Sequence, residues 1–215
     1  MFDAPDFQDA WTREDVDRLY VGAFDGDGDP GLLAGDATPI YLLHPRFIDR
    51  IARYNAAMRW LVLLRDPAER AISQYRMERG RGHERWPLWP ALLLERWRLR
   101  GHLDDFTHGS PLRRHSYRLR GDYARQLDAL YARFPREQVL LLDNRELRED
   151  PTGTLRKACR FLGVEPPPGP VPEERVFVGD YVEFPRNGFR MRLLRWLMRR
   201  ELREMRERYG IRFDD

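Results

Sequence analysis

The amino-acid sequence predicts a layered α/β domain, on three observations. Trp60-Leu61-Val62-Leu63-Leu64 is an unbroken apolar run of strand length, the pattern of a strand covered on both faces in a parallel sheet. Val139-Leu140-Leu141-Leu142 is a second run of the same kind. Around them lie segments with helical spacing and helix-start residues, and strands alternating with helices predict a short parallel sheet packed between helices.

The first run leads directly into a helix start. After Arg65, Asp66 is placed to cap, Pro67 suits the first helical position, and Glu69 is spaced to reach back to the cap amide. Ala68, Ile72 and Tyr75 then form an inward stripe, with Ser73 off it. Arg65 therefore stands at the carboxyl end of a buried strand, where open α/β sheets bind ligands. Ser73 lies about 9 Å along the helix from Pro67. Two arrangements are compatible with this spacing. Either guanidinium and hydroxyl converge on one anionic group, or Arg65 pairs with Asp66 or Glu69 and Ser73 is solvated.

The remaining elements follow in order. Met1 to Phe7 is irregular and aromatic, and Thr12 with Asp15 marks a helix start. Asp25, Asp27, Asp29 and Asp36 fall at calcium-loop positions. Pro30 stands where that loop needs glycine, so a polar surface loop is expected instead. Pro45 to Asn55 reads as a helix with Phe47, Ile48 and Ile51 inward. Glu78 to Arg85 is charged and interrupted by glycine, as a solvated loop would be; a basic lid is the alternative. Leu92, Leu93, Glu95, Arg96 and Trp97 suggest an amphipathic helix whose aromatics pack or line a cleft. Ser116 to Phe134 is expected as one long helix, with Tyr123, Leu127, Leu130, Tyr131 and Phe134 on one face. A further helix begins near Asp150-Pro151 and ends at Gly163. Pro166 to Pro172 is a stiff connector. Val176 to Val178 is a possible strand, and a last helix runs to Tyr209.

Composition narrows the class. At 215 residues, with 42% hydrophobic and 34% charged residues, the chain is expected to be a single soluble domain over residues 1–215. Lys157 is the one lysine, so 37 of the 38 basic residues are arginine and arginine abundance alone does not mark an anion site. A net charge of +3 permits an anionic ligand without requiring nucleic acid. The single cysteine, Cys159, excludes an internal disulfide and a cysteine-built zinc site, and no metal is implied. No run approaches the ~20 apolar residues of a membrane span, so no membrane is expected and a cytoplasmic location is the default.

The stretch L-L-R-D-P-A-E-R-A-I-S-Q-Y resembles the 3′-phosphate-binding segment of sulfotransferases, which use 3′-phosphoadenosine 5′-phosphosulfate (PAPS). The resemblance implies that Arg65 and Ser73 bind the cofactor's 3′-phosphate. It implies a P-loop-type sulfotransferase fold of three layers with a short central parallel sheet. Arg186, in Phe184-Pro185-Arg186-Asn187, is the best match to the family's basic loop residue over the nucleotide, with Arg190 second. Gly35-Asp36-Ala37-Thr38-Pro39-Ile40-Tyr41 is similar to a segment lining the acceptor side, where Asp36 either binds acceptor hydroxyls or caps the turn before Pro39. Phe2-Asp3 matches the residues just after the family's catalytic Glu. The family's first strand, phosphate loop and base are therefore expected before Met1, leaving the catalytic residue unknown and the domain N-terminally incomplete. The implied reaction is sulfuryl transfer to a hydroxyl or amine of a carbohydrate or small molecule. The alternative is an inactive relative that binds 3′-phosphoadenosine 5′-phosphate (PAP) or serves in interaction. A P-loop kinase is disfavoured, since no G-x-x-x-x-G-K-[ST] occurs.

Overall fold

The computed structural model describes residues 1–21, 33–169 and 188–213. Helix α1 (Arg13–Val21) opens with the expected capping box: Thr12 N donates to Asp15 Oδ2 at 2.9 Å, and Asp15 N to the Thr12 hydroxyl at 3.3 Å. Helix α2 (Pro45–Tyr54) buries Phe47, Ile48 and Ile51, as its periodicity predicts. It also buries Arg50, whose guanidinium donates to the Phe2 and Phe7 carbonyls at 2.7 and 3.2 Å and to Asp9 at 2.6 Å. Those bonds strap the irregular N-terminal stretch onto α2.

Both apolar runs are strands. β1 (Trp60–Leu64) pairs in parallel with β2 (Val139–Asp143), in register from Trp60 opposite Val139 to Leu64 opposite Asp143. The two carboxyl ends therefore lie at one edge. Between the strands come α3 (Pro67–Gly80), α4 (Leu88–Leu93), α5 (Glu95–Arg98), α6 (Pro111–His115) and α7 (Tyr123–Tyr131). After β2 come α8 (Asn144–Glu149), α9 (Pro151–Leu162), α10 (Phe189–Leu197) and α11 (Arg199–Tyr209). Asp150 caps α9 and Gly163 closes it in the left-handed conformation, φ 77°, as expected of a glycine there. Cys159 is buried on α9. Among the described residues no helix is long and apolar enough to cross a membrane.

The core has two parts. One gathers Phe2, Val16, Phe47, Ile48, Leu64, Leu127 and Leu130 where α1, α2, β1 and α7 meet. The other lies under α3, where Ala68, Ala71, Ile72 and Tyr75 pack on Leu92, Tyr117, Leu194 and Met198. The α/β class with a short parallel sheet is thus the one predicted.

Several local expectations are corrected. β1 is not covered on both faces among the described residues: Val62 and Leu64 are buried, whereas Leu61 and Leu63 are 44% and 47% exposed. Side chains alternate across a strand, so Leu61 and Leu63 share the face opposite Val62 and Leu64, and at β1 that face is the uncovered one. The long helix from Ser116 to Phe134 is broken. A 3₁₀ turn over Leu119–Gly121 precedes α7, because Glu95 accepts the Arg118 and Leu119 amides at 2.6 and 2.8 Å and holds that turn out of the helix. The same bonds bury Glu95 and leave Leu93 and Trp97 exposed, reversing the expected polarity and splitting the predicted helix into α4 and α5. The charged stretch after Met77 is not simply solvated. Glu78 and Glu84 are buried; Glu84 accepts from Arg98 at 2.6 Å, the Tyr117 hydroxyl at 2.7 Å and the Trp86 amide at 2.8 Å. The C-terminal helix is two helices meeting at Met198. Asp25, Asp27, Asp29, Val176 to Val178 and Arg186 lie outside the described residues.

Candidate anion-binding site at the strand ends

Leu64 ends β1, and Arg65 is the next residue. Asp66 caps α3, its Oδ1 accepting Ala68 N at 2.7 Å and Glu69 N at 3.0 Å. Its second oxygen receives Arg195 of α10 through Nε and Nη2, at 3.0 and 2.7 Å. One carboxylate thus joins the strand end, the start of α3 and a helix 129 residues away.

Behind this junction the 3₁₀ turn approaches closely at Gly121. A Cβ there would lie 2.7 Å from Met198 Cε and 3.0 Å from Pro67 Cβ, so glycine is what lets the turn rest on the start of α3. Arg70, one turn into α3, is half-buried and donates to Gln74 Oε1 at 2.9 Å and to the Tyr117 carbonyl. Arg120, also half-buried, donates to the Ser116 hydroxyl at 2.9 Å and the Arg113 carbonyl at 2.8 Å. Burial pulls both guanidinium pKa values down, that of Arg120 to about 10. Burial also raises the Glu95 pKa, against two backbone amides and the Arg118 and Arg70 charges.

On the outer side, Arg65 Nε contacts Glu69 Oε2 at 3.3 Å. The side chain of Arg65 is 34% exposed and that of Glu69 mostly buried. Glu69 and Ser73 are four residues apart, hence neighbours on one helix face about 6 Å apart along the axis. Arg65 is therefore held against the face that carries Ser73, one turn before it. Of the two arrangements compatible with the spacing, the Arg65–Glu69 pair is present. It occupies only the Nε edge: among the described residues neither the Arg65 Nη groups nor the exposed Ser73 hydroxyl has a hydrogen-bond partner. A guanidinium fork and a hydroxyl on one face suit a phosphate or sulfate oxyanion.

Asp36 lies elsewhere, near the N-terminal stretch. Its Oδ1 accepts the Thr38 hydroxyl at 2.7 Å, and its Oδ2 accepts Tyr41 at 2.5 Å and Tyr20 at 3.2 Å. Burial, aided by this carboxylate, raises the pKa of both phenols and keeps them donors. Asp36 holds its turn through the Thr38 side chain. Arg190 sits in the exposed first turn of α10.

Sequence reasoning did not find the Arg195 contact, the hydrogen bonds of Arg70 and Arg120, or Asp3, which pairs with Arg113 at 2.8 Å. Arginine is the commonest charge in this chain, so no local signal singles these out.

The family profile described as Sulfotransferase domain matches residues 38–176, well over half of the chain. The chain belongs to the sulfotransferase domain family. Among its relatives, mouse heparan sulfate glucosamine 3-O-sulfotransferase 3B1 is 30% identical over 156 residues, covering 73% of this chain and 35% of the relative. Human heparan sulfate glucosamine 3-O-sulfotransferase 3A1 is 28% identical over 156 residues, covering 73% and 34%. This sulfotransferase-family chain thus spans about a third of the length of the curated relatives it matches. The crystal structure of a sulfotransferase from Alicyclobacillus acidocaldarius superposes with a TM-score of 0.67 at 25% identity, covering 95% of this chain and 79% of that one. The matched region contains β1, Arg65, Asp66 and all of α3, so the strand-end geometry belongs to the family domain itself.

Proposed function

We propose that this chain is the nucleotide-gripping part of a PAPS-dependent sulfotransferase, with Arg65 and Ser73 holding the 3′-phosphate of the donor. The observation that carries this is the pairing of a partly exposed guanidinium, fixed along one edge by Glu69, with a solvent-facing hydroxyl on the same side of α3. A phosphate dianion can accept from both, because among the described residues the Arg65 Nη groups and the Ser73 hydroxyl have no other hydrogen-bond acceptor. The bond to a distal phosphate positions the donor, and orientation alone is worth several kcal/mol of a transfer barrier. PAPS supplies the sulfuryl group: a bond forms between its sulfur and an acceptor oxygen or nitrogen, the bond to the 5′-phosphate breaks, and the acceptor's proton leaves to a base. Arg186 is the second proposed nucleotide contact.

The acceptor we propose is a carbohydrate or small molecule, met by Asp36. A carboxylate offers about four lone-pair sites, and Thr38, Tyr20 and Tyr41 take three of them. Among the described residues the fourth has no donor, which leaves it for an acceptor hydroxyl.

Calorimetric titration with PAP and with ATP tests the reading. PAP is expected to bind and ATP to give no response. Arg65→Ala is expected to weaken PAP by ~2 kcal/mol or more, the worth of a charge-assisted contact. Unchanged PAP affinity in that variant refutes the assignment of Arg65. PAP binding without transfer to any acceptor supports the alternative of an inactive nucleotide-binding relative.

A further inference from the structure

The short helices α4 and α5 run on from one another, since Leu94 N donates to the Pro90 carbonyl and Arg98 N to the Leu94 carbonyl, both at 3.0 Å. The inner side of this stretch buries Ala91, Leu92, Glu95 and Leu99. On the outer side Leu93, Arg96, Trp97 and Arg100 recur at intervals of three and four, with Leu94 beside them. Leu93 is 52%, Leu94 48% and Trp97 64% exposed, so three large apolar side chains stand together on one corner. The Trp97 ring is stacked on Trp86, 6.3 Å between centroids and 20° between planes, and Arg98 lies over Trp86 at 4.5 Å.

The charge around this corner has one sign. From Arg85 to Leu103 there are four arginines and one acidic residue, Glu95, whose carboxylate is turned inward to the Arg118 and Leu119 amides. Arg98 pairs with the buried Glu84. Arg85, Arg96 and Arg100 are exposed and have no carboxylate partner among the described residues.

We infer that this corner docks on an anionic phospholipid surface, with Leu93 and Leu94 entering the acyl boundary, Trp97 at headgroup depth, and Arg96 and Arg100 on lipid phosphates. Exposed aliphatic residues beside a tryptophan and unpaired cations match the layers of such a surface in order. Other occupants fit less well. A second copy of this chain on the same face would bring arginines against arginines, with no exposed carboxylate between Arg85 and Leu103 to meet them. A nucleic acid or sugar polymer would satisfy the cations and the ring but offers no hydrocarbon depth for two leucines. Peripheral contact needs no spanning helix, and it revises the expectation of no membrane, which rests on span length alone.

The test is flotation of the whole chain with phosphatidylcholine vesicles that contain or lack phosphatidylglycerol. No nucleotide is added, so the outcome does not depend on whether PAP binds. Flotation is expected with the anionic vesicles only, and to weaken as salt is raised. An arginine at such a surface strengthens partitioning about five-fold, so Arg96→Ser/Arg100→Ser is expected to weaken it about twenty-five-fold. Leu93→Ser/Leu94→Ser is expected to weaken it about ten-fold. Both pairs are exposed, and circular dichroism checks that the fold is kept. Brominated acyl chains are expected to quench wild-type tryptophan fluorescence and to quench Trp97→Phe much less. Arg133→Ser, at a surface pair with Asp49, is expected to bind as the wild type does. Wild-type flotation of the leucine variant, or equal flotation with uncharged vesicles, overturns the proposal. So does an absence of flotation, self-association through this face, or tighter binding to single-stranded DNA or a heparin oligosaccharide than to the anionic vesicles.

Discussion

Replacing Asp66 tests whether one carboxylate organises the strand ends. Asp66→Ala removes two cap bonds, to Ala68 N and Glu69 N, worth about 1 kcal/mol and up to ~2. It also strands Arg195, whose two donors end on the same oxygen, a charge-assisted contact worth ~1.5–3 kcal/mol when well buried. Arg195 keeps partial access to water, which places that second loss toward the lower end. The sum is about 2–4 kcal/mol. Asp66→Asn separates the two parts, because asparagine caps as well as aspartate but carries no charge, and about half the loss is expected. Urea denaturation at unchanged slope measures both variants. In a double-mutant cycle with Arg195→Ala the coupling is expected at ~1–2 kcal/mol. A coupling below ~0.3 kcal/mol, within the spread of independent sites, would refute the idea that Arg195 and Asp66 act as one unit.

Other outcomes follow from named contacts. Gly121→Ala is expected to cost ~1–3 kcal/mol by overpacking against Met198 and Pro67, with part recovered when Met198 is also shortened to Ala; full stability in the single variant contradicts the close approach. His115 is mostly buried beside Arg98, and burial first, then that charge, lowers its pKa from 6.5. A histidine whose folded pKa is depressed supports folding above pH 6.5 and loses that support as pH falls toward the folded value, because the unfolded chain binds the proton first. His115→Asn should flatten the decline of stability just below pH 6.5, read from urea midpoints across pH, and an unchanged profile would count against it. Ser73→Ala is expected to weaken PAP by ~1 kcal/mol, less than Arg65→Ala, since a neutral hydroxyl contributes less than a guanidinium. A larger effect from Ser73 in the same calorimetric series reverses the proposed roles.

The parts of the fold legible in the sequence were those specified by neighbours along the chain. Five consecutive apolar residues form β1, and Asp66-Pro67 starts α3 where capping chemistry places it. Thr12 with Asp15, Asp150-Pro151 and Gly163 mark helix ends as expected. Arg65 and Ser73 are legible for the same reason: strand, turn and helix are contiguous, so their relative placement needs only local geometry. The misjudged elements depend on distant partners. Glu95 stands in a segment expected to be one amphipathic helix and is buried, because the Arg118 and Leu119 amides come to it from another segment. Glu84 has the same history, with Arg98 and Tyr117 as its partners.

By itself, then, the amino-acid sequence determined the class, the two strands, the helix starts and the stretch that carries the candidate site, since capping, periodicity and turn chemistry act over a few residues. Only the tertiary structure decided which charges are buried, that the 3₁₀ turn interrupts the helix before Tyr123, and that Arg195 completes the junction at Asp66. Pairings of this kind are selected by packing, and in a chain with 37 arginines no short window distinguishes the guanidinium that will be enclosed from those left in water.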